Sequence, residues 1–559
     1  MSKNLTAPTT LTMPVGDLIA KALADMGVTT MFGVISIHNM PILDAVFRQG
    51  RIRFVPARGE AGAMNMADAY ARVSRSIGVV ITSTGTAAGN AAGSQVEALT
   101  AGSPVLHITT TVDTDLMDRD RAAIHDVPRQ PDMLKAISKK YFRLWDARAT
   151  VPMLEAAISA ALSAPTGPVS LEIPVDVQRH DARVPLRIVP PVLTHVAPDA
   201  TLLDEIASLV KSARRPMLYL GGGARNASVQ AKGLLDRGFL AVTSTNGRAV
   251  VPESDPRNLG AFNMTHEAQD IFDACDLMIV VGSRLRGNET RNNALRLGRP
   301  LIQIDAEPSQ GGRNYEVDLF LQSEAHLALQ GLLDRLPTKL NTDDGFAKTL
   351  IAARQKGEAD LVATLGPYAK IADALRARVA KGLHPFVRDV TISNSTYGNR
   401  YVDLAAPHLG VHALGGGIGQ GVAMSIGASV ASKTKTIALA GDGGVQLNLG
   451  EFTTAVDEQA EIVFILMNDQ AYGVISNIQD AQYGSRHAYC RLRTPDFGLL
   501  SQAIGLSHIK LTSLDGFEAE LDRAIATPGP HMIEIDMLSI GPFAQSFGGP
   551  PAGAAGGAK

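Results

Sequence analysis

The stretch Thr436 to Gly473, TIALAGDGGVQLNLGEFTTAVDEQAEIVFILMNDQAYG, decides how this chain is read. Within it, Gly441-Asp442-Gly443 is followed, after twenty-four intervening residues, by Asn468-Asp469. The apolar run Thr436 to Ala440 predicts a buried strand that delivers an acidic side chain at its end. A helix is expected to start among Gln446 to Glu451, and a second apolar strand, Ile462 to Met467, delivers an amide. In a parallel sheet both strand ends lie on one edge, so Asp442 and Asn468 converge. One carboxylate and one carbonyl oxygen suit a hard cation such as Mg2+, which binds few protein oxygens and completes its shell with phosphate. Gly441, Gly443 and Gly444 let backbone amides approach a diphosphate. The pattern reads as a Mg2+–diphosphate anchor. The alternative, a Gly-rich strand–turn–helix with no ligand, is disfavoured by the spacing and the two flanking strands.

The rest of the chain bounds the setting. With 559 residues it exceeds one ordinary domain, and 45% hydrophobic with 19% charged residues is usual for large soluble cores. A formal net charge of −3 gives no reason to expect nucleic acid or an anionic membrane as partner. The two cysteines, Cys275 and Cys490, are far apart and without metal-ligand spacing, which fits a reducing cytoplasm. The N-terminus MSKNLTAPTTLTMPVGD lacks the apolar core of a signal peptide, and no run is long enough to span a bilayer. A cytoplasmic protein is expected.

Short apolar strands alternate with helical patterns, which predicts an α/β protein of three domains, each with a mainly parallel sheet flanked by helices. The boundaries read as 1–181, closing with GPVSLEIPVDVQ; 195–340, opening after a linker with Pro185, Pro190, Pro191 and Pro198; and 365–545. A tail, 546–559, is too poor in large apolar groups to pack and is expected to be flexible. The first and third blocks share a rhythm of strand, Gly-rich turn, helix and a late strand after Gly-Pro or Pro-Gly-Pro, as two versions of one fold. Gly221-Gly222-Gly223 is not a GxGxxG pattern and reads first as a strand-to-helix turn.

The GDG-to-Asn spacing resembles the motif of thiamin-diphosphate-dependent enzymes, and residues 14 to 540 are similar to their acetolactate synthase, 2-oxo-acid decarboxylase and benzaldehyde lyase-like branch. The resemblance implies an N-terminal pyrimidine-binding domain, a Rossmann-like middle domain and a C-terminal diphosphate/Mg-binding domain. In the family the metal takes a side chain at the first Asn and a backbone carbonyl two residues on. That implies Asp442, Asn468 and Gln470 as ligands, with Asp469 replacing the usual second Asn. Arg58-Gly59-Glu60 occupies the family's R-H-E position, which implies that Glu60 activates the cofactor. A carboxyl at the pyrimidine nitrogen favours the tautomer that accepts the C2 proton, and burial should keep Glu60 able to hold a proton. A helix-start glutamate stabilised by the macrodipole is the plainer alternative.

The resemblance further assigns cofactor contacts to Thr396 and Tyr397, whose hydroxyls are expected at the phosphates. Gly416 and Ile418 follow in ALGGGIGQG, Ile418 as the steric wedge beneath the cofactor or else as a core isoleucine. Tyr472, Gly473 and Val474 open the segment that corresponds to the substrate channel. Two departures add histidines. His38 lies in VISIHN, where many synthases read Y-P-G-G, and His125 stands where a Gln is common. Both are candidate catalytic proton shuttles, or surface or structurally bonded histidines. FAD in the middle domain is an option that is not favoured, because the family's G-M-H-G is Gly260-Ala261-Phe262-Asn263 here.

The implied function is a thiamin-diphosphate- and Mg2+-dependent, acetolactate-synthase-like enzyme acting on 2-oxo acids. It would decarboxylate the donor, then release an aldehyde or ligate the enamine to a second carbonyl. The alternatives are a lyase or carboligase of 2-hydroxyketones or 2-hydroxyacyl thioesters that never decarboxylates, an FAD or NAD oxidoreductase, and a catalytically silent scaffold. The family implies a homodimer or homotetramer with active sites at subunit interfaces.

Overall fold

A computed structural model describes residues 10–549. The described chain packs as two compact units. One gathers residues to Thr194 with Ala413–Lys433 and Asn448–Ala460; the other holds His195–His412, Thr434–Leu447 and the remainder from Glu461. Two stretches from the third sequence block therefore pack with the first. The expected tail falls largely on 550–559, outside the described residues. Among the described residues no helix is long and apolar enough to cross a membrane.

In the first unit the strands are β1 (Thr10–Pro14), β2 (Thr30–Gly33), β3 (Arg53–Pro56), β4 (Gly78–Ile81), β5 (Val105–Thr111), β6 (Lys140–Arg143), β7 (Val169–Pro174) and β8 (Asp181–Pro185). Strands β1 and β8 form an antiparallel ribbon. The other six make one parallel sheet in the order β3-β2-β4-β5-β7-β6. Strands β4, β5 and β7 are buried at every position, as interior strands of a parallel sheet should be. His107 in β5 is tolerated because Gln95 Oε1 (2.7 Å) and Thr82 Oγ1 (2.8 Å) satisfy both ring nitrogens. Helix Glu60–Ser74 packs along helix Gly421–Ala431. A Cβ on Gly427 would lie 2.0 Å from the Met66 carbonyl, so only glycine permits that approach.

The second unit carries two parallel sheets. The central one, β10-β9-β11-β12-β13, is built from β9 (Pro216–Leu220), β10 (Leu240–Thr243), β11 (Leu277–Val281), β12 (Leu301–Asp305) and β13 (Leu319–Gln322). The C-terminal one is β15-β14-β16-β17-β19-β18, from β14 (Phe386–Arg388), β15 (Gly410–His412), β16 (Thr436–Gly441), β17 (Ile462–Asn468), β18 (Ser507–Leu511) and β19 (His531–Asp536). Counting strands along the chain, the first and last sheets share one order, second-first-third-fourth-sixth-fifth, as the shared sequence rhythm predicts. Three parallel sheets flanked by helices confirm the α/β class.

Two local expectations resolve. Gly221-Gly222-Gly223 is indeed a turn after β9, and its amides are engaged: Gly221 N–H donates to Val281 O and Gly223 N–H to Gly282 O, both at 2.9 Å. The helix expected to start among Gln446 to Glu451 is there, beginning at Glu451 behind a 3-10 turn, Gln446–Asn448. A short turn, Asp442–Val445, starts at the aspartate itself, and helix Glu451–Asp457 follows.

Candidate active site

Register places the anchor residues of the second unit. Strands β16 and β17 pair with Gly441 opposite Met467, so Asp442 and Asn468 emerge side by side at one sheet edge. Asp442 is buried; its Oδ1 accepts from the Asp469 N–H at 3.3 Å, and its Oδ2 has no hydrogen-bond partner. Burial and the neighbouring Asp469 carboxylate push the Asp442 carboxyl up, above the usual carboxylate range. A buried carboxylate oxygen without a donor, beside a second carboxylate, is a site a divalent cation would satisfy. Asn468 Nδ2 donates to Glu534 Oε1 at 2.8 Å, and Glu534 Oε2 is 2.8 Å from His508 Nε2. Glu534 thereby takes up the amide's donor end and leaves Oδ1 as the free ligand atom, apart from a 3.3 Å contact with the Gln470 N–H. Gln470 is left-handed (φ 52°), and its carbonyl accepts from the Leu492 N–H at 2.9 Å, keeping one lone pair for a cation. The residues present fit Mg2+.

Of the three glycines expected to bring amides to a diphosphate, Gly441 ends β16 half-buried, in an extended conformation. Gly443 and Gly444 are buried inside the Asp442–Val445 turn, one and two residues beyond the aspartate. The glycines around Asp442 serve packing as well. A Cβ on Gly443 would come within 2.8 Å of the Tyr472 ring, and one on Gly473 within 2.2 Å of Asp469 Oδ2. Tyr472, Gly473 and Val474 start helix Gly473–Gln482 and are half-buried, while Ile475 is exposed. At Asn394–Gly398 the chain makes one π-helical turn, a wide turn common at functional sites. The two hydroxyls expected at the phosphates lie on this turn. Thr396 Oγ1 donates to Ile392 O at 2.8 Å, and Tyr397 is fully buried in the apolar core.

In the first unit Glu60 begins helix Glu60–Ser74 and is half-buried, with Asn90 Nδ2 donating to its Oε2 at 3.1 Å. Just before it, the N–H groups of Arg58 and Gly59 both donate to Glu451 Oε1 at 3.1 Å. Glu451 is 2% exposed and also accepts from Thr454 Oγ1 at 2.7 Å; burial pushes its carboxyl up. A mirrored contact lies at the other packed helix. Glu97 accepts from the N–H groups of Leu414 and Gly415, both at 2.6 Å, just ahead of the Gly416–Ile418 loop. Arg72 pairs with both Asp68 and Glu97 in the same buried cluster. Gly416 is left-handed (φ 83°), and Ile418 is 38% exposed, which excludes the core-isoleucine reading.

The two candidate histidines meet. His38 and His125 rings stand 5.1 Å apart, edge to face, and His38 Nδ1 is 3.2 Å from Ser83 Oγ. Burial and His125 lower the His38 pKa against an opposing pull from Asp113. His125 is exposed and left-handed (φ 65°). Glu451, Glu97 and Glu534 escape the sequence reading. The one available signal is an acidic residue inside an otherwise small or apolar element, as in HMIEID.

Comparison with known proteins identifies the family. The model of the thiamine pyrophosphate enzyme N-terminal TPP binding domain matches residues 13–133, that of the central domain 203–332 and that of the C-terminal TPP binding domain 392–535. A probable 2-ketoarginine decarboxylase of Pseudomonas aeruginosa is 28% identical over 94% of this chain and 94% of its own length. A chloroplastic acetolactate synthase of Nicotiana tabacum is 26% identical, covering 93% of this chain and 81% of its own. The acetolactate synthase large subunit of Haemophilus influenzae is also 26% identical, over 91% and 92%. The chain belongs to the thiamine pyrophosphate enzyme family, among its acetolactate-synthase- and decarboxylase-like members.

Proposed function

We propose that the protein is a thiamin-diphosphate- and Mg2+-dependent enzyme that decarboxylates a 2-oxo acid, then releases an aldehyde or joins the remaining fragment to a second carbonyl. The observation that carries this is the buried, partnerless Oδ2 of Asp442 beside an Asn468 whose amide is oriented by Glu534. Asp442, Asn468 and the Gln470 carbonyl would hold Mg2+, and the ion would hold the diphosphate. When bound, thiamin diphosphate supplies a carbon nucleophile and an electron sink beside the substrate carbonyl. Glu60 would hold or release a proton at the pyrimidine ring. Ile418 offers an exposed aliphatic surface for the cofactor to bend over. His38, with its pKa lowered, is suited to accept and return protons at substrate or product oxygens, and His125 stands beside it.

A half-exposed Glu60 and the exposed Ile37, Phe47 and Ile124 of the first unit support a site completed by a second copy of the chain, in a homodimer or homotetramer. FAD is not favoured: the amides of Gly221 and Gly223 are already bonded to β11 and its following residue, and Phe262 is packed in an apolar core. Calorimetry of thiamin diphosphate with and without Mg2+, followed by a screen of 2-oxo acids for CO2 release, tests the reading. Mg2+-dependent binding with CO2 release is expected. Binding without CO2 release from any 2-oxo acid, but with cleavage of a 2-hydroxyketone, would make it a non-decarboxylating lyase. No Mg2+-dependent binding would overturn the proposal.

A further inference from the structure

Away from the residues above, the second unit brings together His195, Glu324 and His326. Their ligand atoms all lie within 4.8 Å of one another, and among the described residues no other trio of histidine, cysteine or carboxylate side chains does so. His195 Nδ1 is 3.1 Å from both carboxylate oxygens of Glu324, and His326 Nδ1 is 3.7 Å from Oε2. With metal–ligand bonds of roughly 2.0–2.1 Å, a tetrahedral site needs ligand atoms roughly 3.3 Å apart. The two histidine–carboxylate distances bracket that value, and the two histidine nitrogens lie within 4.8 Å of each other. The two rings stand edge to face at 5.7 Å, so neither stacks over the other.

The carboxylate is held from behind. Glu324 Oε1 accepts from the Val196 N–H at 3.1 Å, while the Glu324 N–H and the Ser323 hydroxyl both donate to Val196 O at 3.0 Å. The segment ahead of helix Ala200–Ser212 is thus already bonded to the start of helix Ala325–Arg335. Fixing one ligand through its outer hydrogen bonds is how protein metal sites orient their donors. The Glu324 side chain is 14% exposed and His195 58%, which leaves the open side to water.

The donor set decides the ion. Two imidazole nitrogens and one carboxylate oxygen suit Zn2+ and its neighbours Co2+, Ni2+ and Cu2+; Mg2+ prefers oxygen alone. We propose that His195, Glu324 and His326 form a three-residue transition-metal site, with water as fourth ligand, that pins residues 195–196 to the helix start. It is separate in donor chemistry from the Asp442–Asn468 anchor and independent of the reaction proposed above.

The test uses the full-length protein, stripped with chelator and returned to excess Mg2+. Addition of Co2+ should give the visible absorption of a tetrahedral ion, saturating at one equivalent and displaced by Zn2+. His195→Ala, His326→Ala and Glu324→Gln should each weaken uptake by about tenfold or more. His266→Ala, an exposed histidine elsewhere, should leave it unchanged. Urea denaturation of the metal-free variants, matching wild type, would show that the loss is of ligands and not of fold. The proposal is overturned by absence of one-equivalent uptake in wild type, or by uptake that His326→Ala leaves intact.

Discussion

Glu451 Oε1 lies 3.1 Å from the backbone nitrogen of Gly59, the residue immediately before the candidate activating glutamate, Glu60. Glu97 does the same for Gly415, ahead of the loop that carries Ile418. Each buried carboxylate satisfies two adjacent N–H groups of a segment leading to a helix, donors that would otherwise be left unpaired in a dry environment. The positions of Glu60 and Ile418 are thus set by side chains far away in sequence.

Gly62 makes the first of these contacts possible, since a Cβ there would lie 2.0 Å from Glu451 Oε1. Gly62→Ala is expected to cost about 1–3 kcal/mol in urea denaturation, the usual range for overpacking. It should also lower turnover, because Glu451 must move off the 58–59 backbone. Unchanged stability and turnover would show that the Glu451 contact is dispensable.

Glu60→Gln keeps the shape of the side chain and removes its proton chemistry. Calorimetry should find thiamin diphosphate binding within a few-fold of wild type, with turnover reduced about 10²-fold or more. Equal turnover in the two proteins would remove Glu60 from the mechanism.

Glu534→Ala frees the Asn468 amide to rotate. The Mg2+ concentration that half-saturates cofactor binding should rise about 10- to 100-fold, the usual effect of losing a ligand-orienting partner. Asn468 would then present either end of its amide to the ion, and only the oxygen end can bind it. A Mg2+ dependence identical to wild type would show that β17 geometry alone orients Asn468.

His107 supplies a pH prediction. It is fully buried, and desolvation lowers its pKa to about 3. The unfolded chain therefore binds a proton near pH 6.5 that the native state refuses, and stability is lost as pH falls from about 6.5 towards 3. Between pH 7 and pH 4 this group alone should remove about 3 kcal/mol. His107→Asn should flatten that part of the profile in urea titrations at the two pH values. Parallel profiles would assign the acid sensitivity to other groups.

The kinship of the first and last sheets and the pairing of Asp442 with Asn468 were legible because parallel sheets bring strand ends to one edge whatever the loops do. Apolar runs of five to seven residues around Asp442 and Asn468 therefore carried the argument through. Side-chain direction within an irregular turn was not legible. In the π-helical turn the Thr396 hydroxyl bonds its own backbone and Tyr397 is buried in the core, which no local pattern foretells.

Local sequence thus determined the three-sheet α/β class, the shared topology of the first and last sheets and the two anchor residues, since periodicity and Gly-rich strand ends act over a few residues. Tertiary structure decided which carboxylates hold those elements in place. Glu451 reaches Gly59, Glu97 reaches Gly415, and Glu534 reaches Asn468 across separations of 392, 318 and 66 residues. A hydrogen bond depends on position in space, and no local pattern records a partner that only the packed helices and sheet bring within 3.1 Å.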